Sequence, residues 1–431
     1  MKLSNTLQTL NRLATQYVKA VLAVGIHDQD YVDAYYGPPE WKEEASSAKL
    51  PLGQIRRRAT AAAAELRSIS RTRMDELTGL RHQYLQRQLQ ALLSRIDLLT
   101  GKKMSFDEES VALYDAAAPR NAEEHFQEII RTLGDMLPGS GPVPPRFEQY
   151  KKGFVIPKDR LANVFTAAIT ESRTRTQRWI TLPEQESFTV EYVTGKSWSG
   201  YNWYRGNGHS LIQVNTDLPI FADRAVDLAS HEGYPGHHVY NSLLERDLAV
   251  GRKWVEFTVY ALFSPQSLIA EGTANFGIEM AFPPAERVAF ERDVLFPLAG
   301  FDPASAERYY AIHEVFLTLN DAGNEAARRY LDGEITRDEA VRWLVEYALM
   351  SRERAEQRTR FFDQYRSYVI NYNVGQDLVR RYIERRTGKN GTPSERWEEF
   401  RALLASPKLP SSLREKGVTH PGRGPASGFR D

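Results

Sequence analysis

Residues 231–238 read His231-Glu232-Gly233-Tyr234-Pro235-Gly236-His237-His238, and how these eight positions are interpreted decides what fold must surround them. Three of the nine histidines fall here, beside a carboxylate. Zinc takes neutral imidazoles and carboxylate oxygens at about 2.0–2.2 Å, and a catalytic site keeps one position open for water. In an HExxH helix the two histidines at i and i+4 face one ion, and the intervening Glu serves as base. Here the second histidine comes at i+6 or i+7, which an unbroken helix would carry about 9–10.5 Å along its axis. Pro235 lacks an amide hydrogen and collides with the carbonyl four residues back, that of His231. Gly233 and Gly236 open backbone angles closed to other residues. The spacing therefore predicts a helix deformed between 232 and 236, with the extra residues looped out. Spacing alone leaves both His237 and His238 eligible as the second histidine. The plain alternative is a set of surface histidines at a helix corner.

A third protein ligand has to come from elsewhere. Downstream, Ser267-Leu-Ile-Ala-Glu271-Gly-Thr-Ala-Asn-Phe-Gly-Ile-Glu279 is strongly apolar and helical in character. Glu271 lies between Ala270 and Gly272, whose small size lets its helix approach another closely. It is the candidate ligand, with Glu279 as an acceptor for a ligand's N–H. Tyr368, Tyr372 and Arg366, in a late Tyr/Arg-rich segment, are candidates to stabilise the oxyanion of a hydrolytic transition state. His313 reads as structural.

Upstream, residues 187–216 alternate β-branched and aromatic side chains between Gly195, Gly200, Gly206 and Gly208, the pattern of two or three strands. Tyr201-Asn-Trp-Tyr204 could pair with an extended peptide by strand addition or pack as a cap. No other stretch gives a convincing β signal. Helices are expected elsewhere: across 56–67, across 81–100 with Leu85, Leu89, Leu92, Leu93, Ile96 and Leu99 in register, across 157–180, and from Phe221 to Leu403. Leu137 to Pro145 reads as irregular. The division expected is an N-terminal helical lobe (1–180), a catalytic lobe (181–405) and a disordered tail (406–431).

Composition narrows the function classes. Lys plus Arg and Asp plus Glu each number 56, so no bulk field draws in nucleic acid. The absence of cysteine excludes thiolate metal sites, disulfide scaffolds and cysteine nucleophiles. The first 27 residues are amphipathic rather than continuously apolar, and no run of about 18 apolar residues follows, so neither a signal peptide nor a membrane span is expected. The expected location is cytoplasmic. Gly195-Lys-Ser197 lacks the first glycine of a phosphate-binding loop, and neither Gly-x-Ser-x-Gly nor Glu-x-x-His occurs.

His-Glu-Gly-Tyr-Pro-Gly-His-His followed by Ala270-Glu-Gly-Thr-Ala-Asn275 resembles the bacterial domain-of-unknown-function family eight hundred and eighty-five, whose members carry HExxPGHH and then an AEG-type helix. Tyr31-Val-Asp-Ala-Tyr-Tyr-Gly-Pro-Pro-Glu-Trp41, Gly208 to Thr216 and Asn371-Tyr-Asn-Val-Gly-Gln376 match as well, so the resemblance extends to about residue 385. Tyr368-Val-Ile-Asn371 departs from the Pro-Gly-Gln-Ala of larger members. The family is distantly similar to the gluzincin zinc peptidases, such as thimet oligopeptidase and the carboxypeptidase Taq family, and dipeptidyl peptidase III offers a stretched motif. That similarity aligns Gly236-His237 with the closing Gly-His of gluzincins and so favours His237.

Taken together these readings predict a mostly α, two-lobed zinc-peptidase-like fold with a small β-sheet beside the cleft. Its zinc is held by His231, His237 and Glu271, and Glu232 is the general base for hydrolysis of a peptide or related amide. Two other readings are a non-peptidase metallohydrolase of a small amide and a helical binding protein with a vestigial metal site.

Overall fold

Leu85, Leu89, Leu92 and Ile96 recur at helical spacing, and in the computed structural model all four are buried along the Glu76–Leu99 helix. That helix begins at Asp75, whose side chain accepts the Thr78 amide and so satisfies one free N–H of the first turn. The structure describes residues 2–414 apart from 73 and 389, with side chains from residue 5 onward. Arg- and Ala-rich sequence folds as the Leu52–Ser68 helix, and the helix expected across 157–180 occupies Leu161–Gln177. The chain is mostly helical with small sheets. No described helix is long and apolar enough to cross a membrane.

Two local expectations need correction. The Leu137–Pro145 stretch is irregular only at first, because Val143–Lys152 is a helix with its prolines in the opening turn. There the missing N–H costs nothing, since first-turn amides have no helical partner. The tail expected from residue 406 is also ordered at its start: Pro410–Leu413 is a 3-10 turn, with Leu409 and Leu413 buried. The rest of that tail, 415–431, lies outside the described residues.

Five strands occur among the described residues: β1 (Val32–Tyr35), β2 (Ser187–Val193), β3 (Gly200–Gly206), β4 (His209–Asn215) and β5 (Val259–Ala261). The three strands of the 187–216 region are as expected, in the order β2-β4-β3, with β2 parallel and β3 antiparallel to β4. β3 is thus an edge strand. β1 and β5 form a second, two-stranded sheet that the sequence did not announce. At four and three residues they are too short for alternation to show, and their pairing spans more than two hundred positions.

The largest apolar core runs from Leu10 to Leu413, and a second, from Ile156 to Ala299, joins β4 to the helix preceding His231. The division near residue 180, kept as a proposal, separates the part that supplies Glu232 and the candidate metal ligands from the part that supplies none of them. At the centre, the Pro265–Ala281 helix crosses the Ile370–Thr387 helix almost backbone to backbone. A β-carbon on Gly272 would stand 2.4 Å from the Gly375 carbonyl carbon, and one on Gly375 would stand 2.6 Å from the Leu268 carbonyl oxygen. Glycine inside a helix ordinarily costs about 0.5–1 kcal/mol against alanine. Here it permits the approach that sets Glu271.

Gly272→Ala and Gly375→Ala should each destabilise the protein by about 1–3 kcal/mol through overpacking, measured by denaturant unfolding. Gly79→Ala, in a helix with open space around the added methyl, should instead stabilise by about 0.5–1 kcal/mol.

Candidate metal centre

Asp223–Leu228 is a regular helix, but Ala229–Gly233 continues it as a π-helical turn. The Tyr234 amide donates to the Ala229 carbonyl at 3.1 Å, and the Gly236 amide returns to the Ser230 carbonyl at 2.9 Å. The helix therefore widens, breaks at Tyr234-Pro235 and restarts as His237–Leu244. This is the deformation the spacing demanded. It depends on Gly236: a β-carbon there would stand 1.8 Å from the His231 carbonyl oxygen and 2.4 Å from that of Ser230. Pro235 is seated against Gly277, where a β-carbon would come within 3.0 Å of its ring, so the break docks on the helix that carries Glu271.

The return brings the rings of His231 and His237 to 4.6 Å between centroids, edge to face. Glu271 Oε2 lies 3.1 Å from His231 Nε2 and 3.7 Å from His237 Nε2. Donors tetrahedrally arranged around an ion at about 2.1 Å are about 3.4 Å apart, between the two observed separations. Despite these approaches, Glu271 Oε2 is buried without a hydrogen-bond partner. Three donor atoms facing one another, with an unpaired carboxylate oxygen among them, fit a cation better than they fit each other. Residues 231, 237 and 271 are thus brought together.

His238 is not part of this group. It is fully buried on the opposite side, its Nδ1 at 2.9 Å from Ser210 Oγ and its Nε2 at 2.9 Å from Glu186 Oε2. Glu186 also accepts from Tyr234 at 2.5 Å and from Arg173 at 2.6 Å, so this network anchors the restarted helix.

Neighbouring side chains fix the three donors. Asn275, one turn beyond Glu271, places its Oδ1 2.8 Å from His231 Nδ1 and donates through Nδ2 to the Tyr372 carbonyl. Tyr368 donates to Glu271 Oε1 at 2.7 Å. The Glu232 carboxylate accepts no hydrogen bond among the described residues, and its Oε1 would lie 2.8 Å from a β-carbon on Gly200. Its main-chain carbonyl accepts from Asn202 Nδ2 at 2.7 Å.

Electrostatics follow burial and pairing. Burial alone would raise Glu271, but His237 and His231 hold its carboxyl well below the usual carboxylate range. Burial opposes a charged His237, yet Glu271, Glu232 and Asp33 outweigh it and push the imidazole up to about 9. Burial pushes Glu232 up, although both histidines pull the other way.

The group lines a cavity of about 710 Å³ together with Gly200, Tyr201, Asn202, Tyr368 and Tyr372. Other expectations fared differently. Glu279 does not support a metal ligand; it accepts from Gln376 at 2.6 Å and from Arg380, and Asn275 takes the role assigned to it. Arg366 turns away to Glu109 at 2.6 Å. Tyr368 is already engaged with Glu271, which leaves the Tyr372 hydroxyl as the freer donor. Asn275 was not anticipated, although its place four residues after Glu271, on the same helical face, is a signal that could have found it.

A second cluster, Asp223, Asp227 and His313, also has its donor atoms close together. Lys151 pairs with Asp223 at 2.6 Å and Arg287 with Asp227 at 2.9 Å, so cations already balance its carboxylates.

No family model matches the chain, and no curated protein does. Among solved structures the fold is similar to a protein described as a lipoprotein from Colwellia psychrerythraea, at 16% identity and TM-score 0.52, covering 86% of this chain and 70% of that one. Looser matches include a lipoprotein of unknown function from Shewanella oneidensis, at 13% identity and TM-score 0.48, covering 86% and 75%. Another is the M32 carboxypeptidase from Deinococcus radiodurans, at 13% identity and TM-score 0.48, covering 95% and 94%.

A bound metal needs neutral imidazole, so uptake at pH 7 should release about one proton from His237. Apparent affinity should then rise with pH until about 9; calorimetry in buffers of different ionisation enthalpy reads both. Asn275→Ala should weaken metal binding about 10–100-fold, whereas His238→Ala should keep the metal stoichiometry and lose thermal stability.

Proposed function

We propose that this chain is a metal-dependent hydrolase of peptide or related amide bonds, with zinc held by His231, His237 and Glu271. The observation that supports this most directly is the unpartnered, buried Glu271 oxygen facing two imidazoles inside a cavity. Two imidazoles and a carboxylate suit zinc more than magnesium or calcium, which prefer oxygen donors throughout. The chemistry a bound zinc supplies is Lewis acidity, which lowers a water's pKa from 15.7 toward about 7 and polarises a carbonyl.

The chain's own residues do the rest. Glu232, buried and accepting no hydrogen bond, holds a carboxylate free to take a proton and pass it to a leaving amine. Burial favours its protonated form and so strengthens it as a base. Asn202 fixes the Glu232 backbone, Asn275 sets the tautomer and direction of His231, and Tyr368 orients Glu271. The Tyr372 hydroxyl is the candidate donor to an oxyanion. β3, an edge strand whose Gly200, Tyr201 and Asn202 line the cavity, can receive an extended chain by main-chain hydrogen bonds. The resemblance to the HExxPGHH family and to gluzincins rests on the same residues and agrees with this assignment. A second reading, hydrolysis of a smaller amide, is favoured by cavity size: about 710 Å³ lies within the usual range of small-molecule sites.

A mixed peptide library digested by the zinc-loaded protein and read by mass spectrometry should show cleavage that a chelator abolishes. Glu232→Gln should lower turnover about 10²–10⁴-fold with metal content unchanged. Full activity in that variant would remove Glu232 as base, and no metal in protein purified without added zinc would favour a vestigial site.

A further inference from the structure

The Tyr31–Trp41 segment contains an acidic residue that the hydrolytic scheme does not use. β1 pairs Val32 with Ala261 and Ala34 with Tyr260, so Asp33 is the extra residue of a β-bulge. A bulge re-aims the side chain it carries, and that of Asp33 lines the same cavity as the metal cluster. The Tyr201 hydroxyl donates to its Oδ1. Among the described residues no Lys or Arg pairs with it and no donor is seen on Oδ2.

Its surroundings are aromatic. Trp198 and Tyr201 pack at 5.3 Å, and Tyr260 and Tyr365 line the cavity with them. Burial, then the negative charge of Asp33, keeps the Tyr260 hydroxyl protonated, and the same charge reaches Tyr365. Asp33 also interacts electrostatically with His237, Glu271 and Glu232, across the cavity that all four line. A carboxylate half-buried among aromatic rings is costly without a cation. Carboxylate with aromatic faces is the chemistry that recognises an ammonium.

Resting on the hydrolase reading above, we propose that Asp33 receives the free α-ammonium of a peptide substrate, so that the enzyme acts at the N-terminal end of short peptides. The α-ammonium is one carbon from the first peptide carbonyl, so holding it at Asp33 directs that carbonyl into the cavity that Asp33 shares with the metal cluster. A lysine ammonium lies at the end of a long side chain and carries no such constraint. Tyr201 is a positioning residue here, because it acts through Asp33.

Two arms test this with the zinc-loaded protein. In the first, kcat/KM is compared for a cleaved peptide and its N-acetylated form. The free form should be preferred about tenfold or more, and Asp33→Asn should erase the preference by slowing only the free peptide. Equal cleavage of both forms by the wild type, or an equal loss on both in the variant, would overturn the proposal. The wild-type comparison needs no variant to fold. In the second arm, calorimetry measures leucinamide, N-acetyl-leucinamide and Nα-acetyl-lysinamide. Asp33-dependent binding of leucinamide alone supports the site even if no peptide is hydrolysed, in which case only the hydrolase reading falls. Absence of that binding, or binding of the lysine derivative alone, would reject the α-ammonium assignment.

Discussion

A side chain cannot exist at position 236, because the His231 carbonyl oxygen stands where its first carbon would be. The whole site hangs on that steric fact. Without it the chain could not turn back within six residues, and two imidazoles on a continuing helix would point to different places. The π-helical turn before the break takes up the surplus residue, and the Gly236 amide closes the return on Ser230. A second near-contact of backbones, Gly272 on Gly375, sets the depth at which Glu271 meets the histidines. Both arrangements give up helix stability locally and recover it through packing that only glycine allows.

The same closeness decides the electrostatics. A buried carboxylate between two imidazoles, with Glu232 and Asp33 nearby, is a concentration of charge that the interior would not tolerate unneutralised. Without an ion, a proton on His237 does part of that work, which is why its affinity for protons is raised. A cation would do it better, because it would satisfy the Glu271 oxygen that has no hydrogen-bond partner. The surrounding amides and hydroxyl, from Asn275, Asn202 and Tyr368, then act on direction rather than on charge.

Much of this was legible in the residues. Helical period located the long helices, and Pro-Gly between histidines forecast the break, because both follow from local chain geometry. Ala-Glu-Gly marked the close-packed helix that carries Glu271 for the same reason. What was hidden depended on partners far along the chain. Gly375 became meaningful only opposite Gly272. Glu279 looked like a supporting residue until Gln376 and Arg380 claimed it. β1 and β5 were too short to carry a period, and the bulge that aims Asp33 exists only once they pair. The resemblance favoured His237, but spacing left His238 eligible, and the contacts that bury His238 away from the cavity, Glu186 and Ser210, were not readable from it.

The central claim is that one return of the backbone makes a single cation site from residues 231, 237 and 271. Anomalous X-ray diffraction at the zinc edge, from crystals of the zinc-loaded protein, tests it directly. The account predicts one strong peak at about 2.0–2.2 Å from His231 Nε2, His237 Nε2 and Glu271 Oε2. A peak at Asp223, Asp227 and His313 instead, or none between the two imidazoles, would contradict it.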